Sequence, residues 1–199
     1  MLKFARRKPE LVPAAAEAPE PELVIDVARA RLALARKGRA AGPAAQGIRL
    51  ALRAIEDALI AIDAIRAALE EAAELTADAL AAPDPGRRAL LAERFEDLRQ
   101  AINESCGVTT KEEGCLTAHA KARLEVTLDP QGRSRHVVRG CDLSTGEQGL
   151  DLPPAIDAFA TDEEIRAAEA AIAGAFPRLD RAAQIFLDDA GALTAVAAA

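Results

Sequence analysis

Residues 48–80 read IRLALRAIEDALIAIDAIRAALEEAAELTADAL, and Ile48, Leu52, Ile55, Leu59, Ile62, Leu69, Ala73, Thr76 and Leu80 recur in steps of three and four. Such a period places apolar side chains along one stripe of an α-helix, because 3.6 residues complete a turn. Arg66 is the charged interruption of the stripe. The expected element is a long helix with a coiled-coil seam. Pro83-Asp84-Pro85 ends it and opens another, with Asp84 as N-cap and Pro85 in the first turn. On this second helix Leu91, Phe95, Leu98 and Ile102 repeat the spacing. The short connection makes the two helices antiparallel neighbours.

Near Gly107 the period changes. Leu124, Val126 and Leu128 alternate with polar residues, Asp129-Pro130-Gln131-Gly132 supplies turn chemistry, and Ser134 to Arg139 can return as a partner strand. A β excursion at about 121–152 is therefore expected. Gly146, Gly149, Pro153 and Pro154 keep the following chain extended or turning as far as Thr161, which with Glu164 forms a capping-box pattern. The last helix carries Ile165, Ala168, Ile172, Phe176, Leu179, Ala183 and Phe186. Pro177 should bend it or leave a turn unbonded, since proline has no amide hydrogen and clashes with the preceding turn.

On the N-terminal side of the long helix, Pro9, Pro13, Pro19 and Pro21 interrupt an Ala/Glu stretch without apolar period, so residues 1–21 read as a disordered basic tail. Lys3, Arg6, Arg7 and Lys8 form its tip, which could touch anionic lipid or a partner, a solvated tail being the plainer reading. Val24, Val27, Ala28, Leu32 and Leu34 predict a loosely amphipathic helix from Glu22 to Gly38 before the Gly42-Pro43 break. The fold class expected is mainly α: an elongated antiparallel helical bundle or coiled coil over 22–199 with a small β-hairpin excursion.

Composition agrees with a thin helical core. Half of the 199 residues are apolar, much of that alanine, while aromatics are 3% with no Trp or Tyr. A net charge of -7, with no aromatics interleaved among the basic residues, argues against a nucleic-acid surface. No secretory leader is legible, and the longest apolar region, Ala51 to Leu69, is broken by Arg53, Glu56, Asp57, Asp63 and Arg66, so no transmembrane segment is expected.

Ligand-type chemistry is sparse. Cys106, Cys115 and His119, with His136 and Cys141 later, are types that bind zinc, but no C-x-x-C occurs and the spacing is poor. A Cys106–Cys115 disulfide would close a short loop in an oxidising compartment; reduced, partly buried thiols are the preferred reading. Cys106 or Cys115 as a nucleophile would need His119 or His136 beside it, which the spacing does not indicate. Glu70-Glu71, Glu112-Glu113, Glu163-Glu164 and Asp188-Asp189 are adjacent, so on helices they diverge around the axis instead of forming acid/base pairs. No phosphate-binding glycine loop follows a strand. No catalytic residue, cofactor or metal is expected, and the chain is read as a non-enzyme. Apolar seams are usually satisfied within one chain, and a homo-oligomer through them stays open.

From Pro43 onward the order of elements resembles the rod-forming segment of bacterial flagellins. Ala61-Ile62-Asp63-Ala64-Ile65 with Leu69, Ala72, Ala73, Ala77 and Ala79 looks like the flagellin helix that precedes a variable turn. Arg87-Arg88-Ala89-Leu90 and then Arg94-Phe95-Glu96-Asp97-Leu98-Arg99-Gln100-Ala101-Ile102 are similar to the family's recurring arginine, aromatic, leucine and isoleucine spacing. Leu124-Glu125-Val126-Thr127-Leu128-Asp129-Pro130-Gln131-Gly132, Gly140-Cys141-Asp142-Leu143 and Gly149-Leu150-Asp151-Leu152 resemble a β excursion found in some flagellins. The similarity implies a structural or interaction protein of the bacterial flagellum. Its partners would be flagellin or flagellin-like subunits, or an export chaperone, and its location the flagellum or the cytoplasm. Two departures qualify this. The paired terminal helices of flagellins have no counterpart, which leaves polymerisation open, and the stretch from Ser105 to Leu116 replaces a tight Asn-Gly connection.

Overall fold

The computed structural model describes residues 42–108 and 115–198. The helix expected over Glu22 to Gly38 and the tail before it lie outside the described residues. The chain is mainly helical with one small hairpin, in the order α1 (Pro43–Ala81), α2 (Pro85–Ser105), β1 (Arg123–Thr127), β2 (Arg135–Arg139) and α3 (Asp162–Ala198). α1 is 39 residues long and α3 is 37, so each extends for more than about 50 Å at 1.5 Å per residue.

Local chemistry sets the boundaries. α1 begins on Pro43 behind an extended Gly42 and stops at Ala82, whose N–H bonds the Ala79 carbonyl 3.2 Å away. Asp84 caps α2 by accepting the Arg87 amide at 2.9 Å. The far end of α2 is a Schellman motif: Gly107 takes φ 76°, its N–H bonds Glu104 O at 3.0 Å, and the Val108 N–H reaches Asn103 O at 3.2 Å. Only glycine enters that backbone region without strain, which is why the period breaks there. Thr161 accepts the Glu164 amide at 3.2 Å, but Glu164 does not return the bond to Thr161; its Oε1 takes the Asp157 amide at 2.9 Å. The capping box is therefore half formed, and its second arm fastens the preceding loop.

α1 packs against α3, α2 and β1. Ion pairs give the directions: Arg66 meets Asp180, Arg94 meets Glu71 at 2.9 Å, and Arg88 bridges the Ala82 carbonyl and Asp162, both at 2.8 Å. Thus α3 starts beside the α1–α2 turn and runs antiparallel to α1, while α2 covers the C-terminal part of α1. The hairpin takes the other end. Arg123 pairs with Arg139 and Thr127 with Arg135 in antiparallel register. Val126 and Val138 point inward, and a Cβ on Gly47 would stand 3.7 Å from Val126 Cγ1. His136 bonds Asp189 of α3 at 2.8 Å. At the hairpin turn Asp129 accepts the amides of Gln131 at 2.8 Å, Arg133 at 3.2 Å and Ser134, and these bonds, Ser134's foremost, hold its carboxyl below the usual range.

The core is one cluster running the length of the stem. Leu52, Ile55, Leu59, Ile62, Leu69, Phe95, Leu98, Ile102, Ile165, Ile172 and Leu179 are buried in it, whereas Leu91 and Phe176 are half-buried at its edge. The seam itself runs one residue away from the expected line in places. On α1 the unbroken alternation is Ala51, Ile55, Ala58, Ile62, Ile65, Leu69, Ala72, Thr76 and Ala79, with Ala73 and Leu80 on the flank and Arg66 turned out to Asp180. On α3, Ala175 and Ala182 are buried where Phe176 and Ala183 were expected. A step of three and a step of four are equally helical, so the period admits both, and close approach of two backbones selects the alanine. Pro177 sits exposed on α3, which continues through it as one helix because Ile172, Ala175, Leu179 and Ala182 anchor both sides. The Ala173 carbonyl is left without an i+4 amide donor, as proline has none.

Replacing Ile65 by Ala should destabilise the protein by about 2–5 kcal/mol in urea unfolding, because the side chain fills the α1 seam. Leu90→Ala, on an exposed face, should stay within about 0.5 kcal/mol. Equal effects would mean that the seam runs elsewhere.

Candidate functional site

The ligand-type residues gather where the Schellman end of α2 meets the chain entering β1. Cys106 is fully buried and its Sγ donates to Ile102 O at 2.8 Å and Leu143 O at 3.2 Å. Cys115 Sγ donates to Cys106 O at 3.1 Å, and Thr117 Oγ1 donates to the same carbonyl at 3.0 Å. The fold therefore brings Cys106 and Cys115 together, but it leaves His119 exposed and sends His136 to Asp189. Among the described residues no group of three or more His, Cys, Asp or Glu side chains is placed to hold a metal ion. All three cysteines are free thiols.

Burial governs the chemistry of these thiols. Desolvation pushes Cys106 up to about 12, with further raising contributions from Asp142 and Cys115. Cys141 is raised as well, by burial first and by the charge of Asp189 second. A thiol that stays protonated at neutral pH is a poor nucleophile and a poor metal ligand, so Cys106 acts as a small packed side chain that satisfies two carbonyls.

A second polar node was not picked out in the sequence. Glu96, Arg99 and Asn103 stand at i, i+3 and i+7 on α2, a spacing that gathers them on one face. Together they hold the irregular chain between the hairpin and α3. Arg99 donates to Leu152 O at 2.9 Å and pairs with Glu96 at 2.6 Å, Glu96 accepts the Ala155 amide at 2.7 Å, and Asn103 Oδ1 accepts the buried Thr145 amide at 3.0 Å. Arg178 of α3 adds a bond to Gly149 O at 2.8 Å. The signal that could have found this node is a set of long polar side chains at helical spacing facing a Gly/Pro-rich segment with many unsatisfied backbone groups.

The clamped segment is tightly built. A Cβ on Gly149 would lie 2.3 Å from Ser144 O, so only glycine fits there. Asp151, Ala158 and Phe159 take φ of 58°, 53° and 57°, a left-handed region that costs roughly 1–3 kcal/mol for such residues. Phe159 is held in it by burial, its ring centroid 5.4 Å from that of Phe95. The result displays Ile156, which is 82% exposed. Farther along, an open groove of about 520 Å³ runs beside α1, with Leu50, Ala54, Ala58 and Ala61 as its floor, Leu124 on one side and Cys115 at its end. Of the buried core, Ala58 and Leu116 border the groove, and Phe159 and Ala168 lie beside Ile156. No helix among the described residues is long and apolar enough to cross a membrane.

Asn103→Ala should cost about 1–3 kcal/mol in equilibrium unfolding, since it strands the Thr145 amide, and hydrogen exchange at 143–152 should quicken before that of α1. For the thiols, the sign follows from a native value above the unfolded one. The stabilisation is complete below 9.0, the ordinary thiol value, and is lost as pH rises from there towards about 12. Unfolding stability should therefore decline across that window, and the decline should become shallower in Cys106→Ala, the remainder including the contribution of Cys141. In native protein at pH 8 iodoacetamide should label Cys115, which lines the open groove, and spare Cys106 until the chain unfolds. The chain matches no protein-family model and no curated protein sequence.

Proposed function

We propose that the protein is a non-catalytic, flagellin-like structural or interaction protein of the bacterial flagellum that docks through the outer surfaces of its helical rod. The observation that carries this reading is the element order together with its packing. A long helix, a Pro/Asp turn, a shorter antiparallel helix, a β-hairpin and a long returning helix share one continuous apolar stem, which is the layout implied by the flagellin resemblance. The seam residues are consumed within that stem, so a partner must use other surfaces. Exposed apolar residues such as Leu90, at 67%, and Ile156 interrupt otherwise charged faces and supply anchoring points. Partners of matching shape are flagellin or flagellin-like subunits.

One observation favours a second reading, a cytosolic adaptor that binds flagellin or an export chaperone without polymerising. Three free thiols, two of them raised by burial, suit a reducing compartment. Fractionating cells into sheared filament, membrane and cytosol decides between the two. The structural reading expects the protein in the sheared filament. Recovery in cytosol alone would remove that reading, and co-purification there with flagellin or a chaperone would support the adaptor; recovery in cytosol with neither would remove both.

A further inference from the structure

The hairpin has an edge whose backbone is not used by the fold. Its ladder has a definite phase: the Gly140 N–H bonds Ala122 O at 2.7 Å and the Leu128 N–H bonds Ser134 O at 2.9 Å, so in the same register Leu124 with Val138 and Val126 with His136 are the hydrogen-bonded pairs. Arg135, Val137 and Arg139 therefore turn their N–H and C=O groups away from β1, and among the described residues these groups have no partner. β1 lies against α1, whereas β2 lies against α3 through His136 and Asp189, which leaves this edge on the α3 side of the hairpin, away from α1.

A strand added there would meet different chemistry on its two faces. On the solvent face Arg123 stands directly opposite Arg139 in a non-hydrogen-bonded pair, where Cα atoms approach to about 4.5 Å. Like charges so placed destabilise a hairpin. Neither arginine has an ion-pair partner among the described residues; of the hairpin's own carboxylates, Glu125 pairs with Arg135 at 3.7 Å and Asp129 is committed to the turn amides. Lys121 and Arg133 add positive charge at the two ends. On the helix face, Ile185 and Val196 stand four residues before and seven after Asp189, hence on the flank of α3 that β2 touches, and both are exposed although large and apolar. The two carboxylates of that flank are engaged, Asp189 by His136 and Asp188 by Gln184, each at 2.8 Å.

We propose that the β2 edge is a docking site for an extended segment of another protein, one that alternates acidic with apolar side chains and adds a further strand to the hairpin. Main-chain bonds to Arg135, Val137 and Arg139 supply the pairing. Acidic side chains at every second position relieve the repulsion between Arg123 and Arg139, and the apolar ones between them cover Ile185 and Val196. The positive charge selects the acid, the unpaired backbone selects the extended form, and the apolar flank of α3 selects the alternation. This assignment stands on the hairpin and its flank alone and is independent of the flagellar role.

Amide hydrogen exchange of the full chain, read by NMR with a short synthetic peptide of alternating Glu and Val as the probe, tests this. In the free protein the amides of Arg135, Val137 and Arg139 should exchange as those of an open edge. With the peptide they should slow by at least about tenfold, while those of Val126 and Val138 in the ladder keep their rates. Val137→Pro removes an edge N–H without touching a ladder bond and should abolish the slowing. Arg139→Glu should weaken peptide binding by at least about tenfold. Retained protection of Val126 and Val138 shows that the hairpin still forms in each variant, and Arg139→Glu keeps the test sound if Val137→Pro fails to fold. Four results would overturn the proposal. They are no slowing with the peptide, slowing that survives both substitutions, equal slowing with a poly-glutamate peptide of the same charge, which would mean attraction for any polyanion, and edge amides already protected in the free protein, which would mean that this chain or a second copy fills the edge.

Discussion

Close antiparallel contact between α1 and α3 is the constraint on which the remaining structure rests. Its residues alternate large aliphatic with small: Ile62, Ile65, Leu69 and Ala72 on one helix meet Ile172, Ala175, Leu179 and Ala182 on the other. Burying a large aliphatic side chain contributes roughly 1.5–3 kcal/mol before entropy is counted, so a continuous stripe outweighs local propensity, including the penalty of an exposed Pro177 inside α3. Three fully buried phenylalanines, Phe95, Phe159 and Phe186, belong to the same core, and the first two are in ring contact. A core so short of aromatics cannot be thick. It must be long.

The elements around that pair divide its length between them. α2 covers the half of α1 nearest the Pro83–Pro85 turn, and the hairpin covers the other half through Val126 and Val138. Between the hairpin and α3 the chain is irregular: turn bonds such as Leu150 N–H to Ser144 O at 2.7 Å and Leu152 N–H to Thr145 O at 3.0 Å serve part of its backbone, and the remaining polar groups need partners from outside it. Glu96, Arg99 and Asn103 supply those partners from the solvent side of α2, and Arg178 supplies one from α3. The left-handed residues Asp151, Ala158 and Phe159 persist because these bonds and the burial of Phe159 overdetermine the path. A polar clamp of this kind fixes what the segment presents outward, chiefly Ile156.

For function, the distribution of reactive groups matters as much as the shape. The fully buried thiol, Cys106, is the one most firmly kept protonated, and the histidines are dispersed, one to Asp189 and one to solvent. Carboxylates serve as caps, turn anchors and surface ion pairs, the last worth little individually. The described surface itself consists of charged faces with isolated apolar points such as Leu90 and Ile156.

Particular residues show where sequence reading succeeds and where it stops. The period of Ile48 to Leu80 is a property of the chain itself, because 3.6 residues per turn maps spacing onto one face, and the turn at Asp84-Pro85, the stop at Gly107 and the Asp129–Gly132 turn follow from backbone sterics and capping that need no neighbour. Choosing Ala175 over Phe176, or Ile65 over Arg66, requires knowing which backbone lies opposite and how near it comes. The sequence has no term for that distance. Likewise Glu96, Arg99 and Asn103 look like an ordinary solvated face until a segment some fifty residues later is folded against them. The sequence by itself determined the helices, the hairpin and their ends, since these depend on nearest neighbours along the chain. Only the tertiary structure decided the seam's register, the seclusion of Cys106 and the clamp on residues 145–155, since these depend on which surfaces exclude water together.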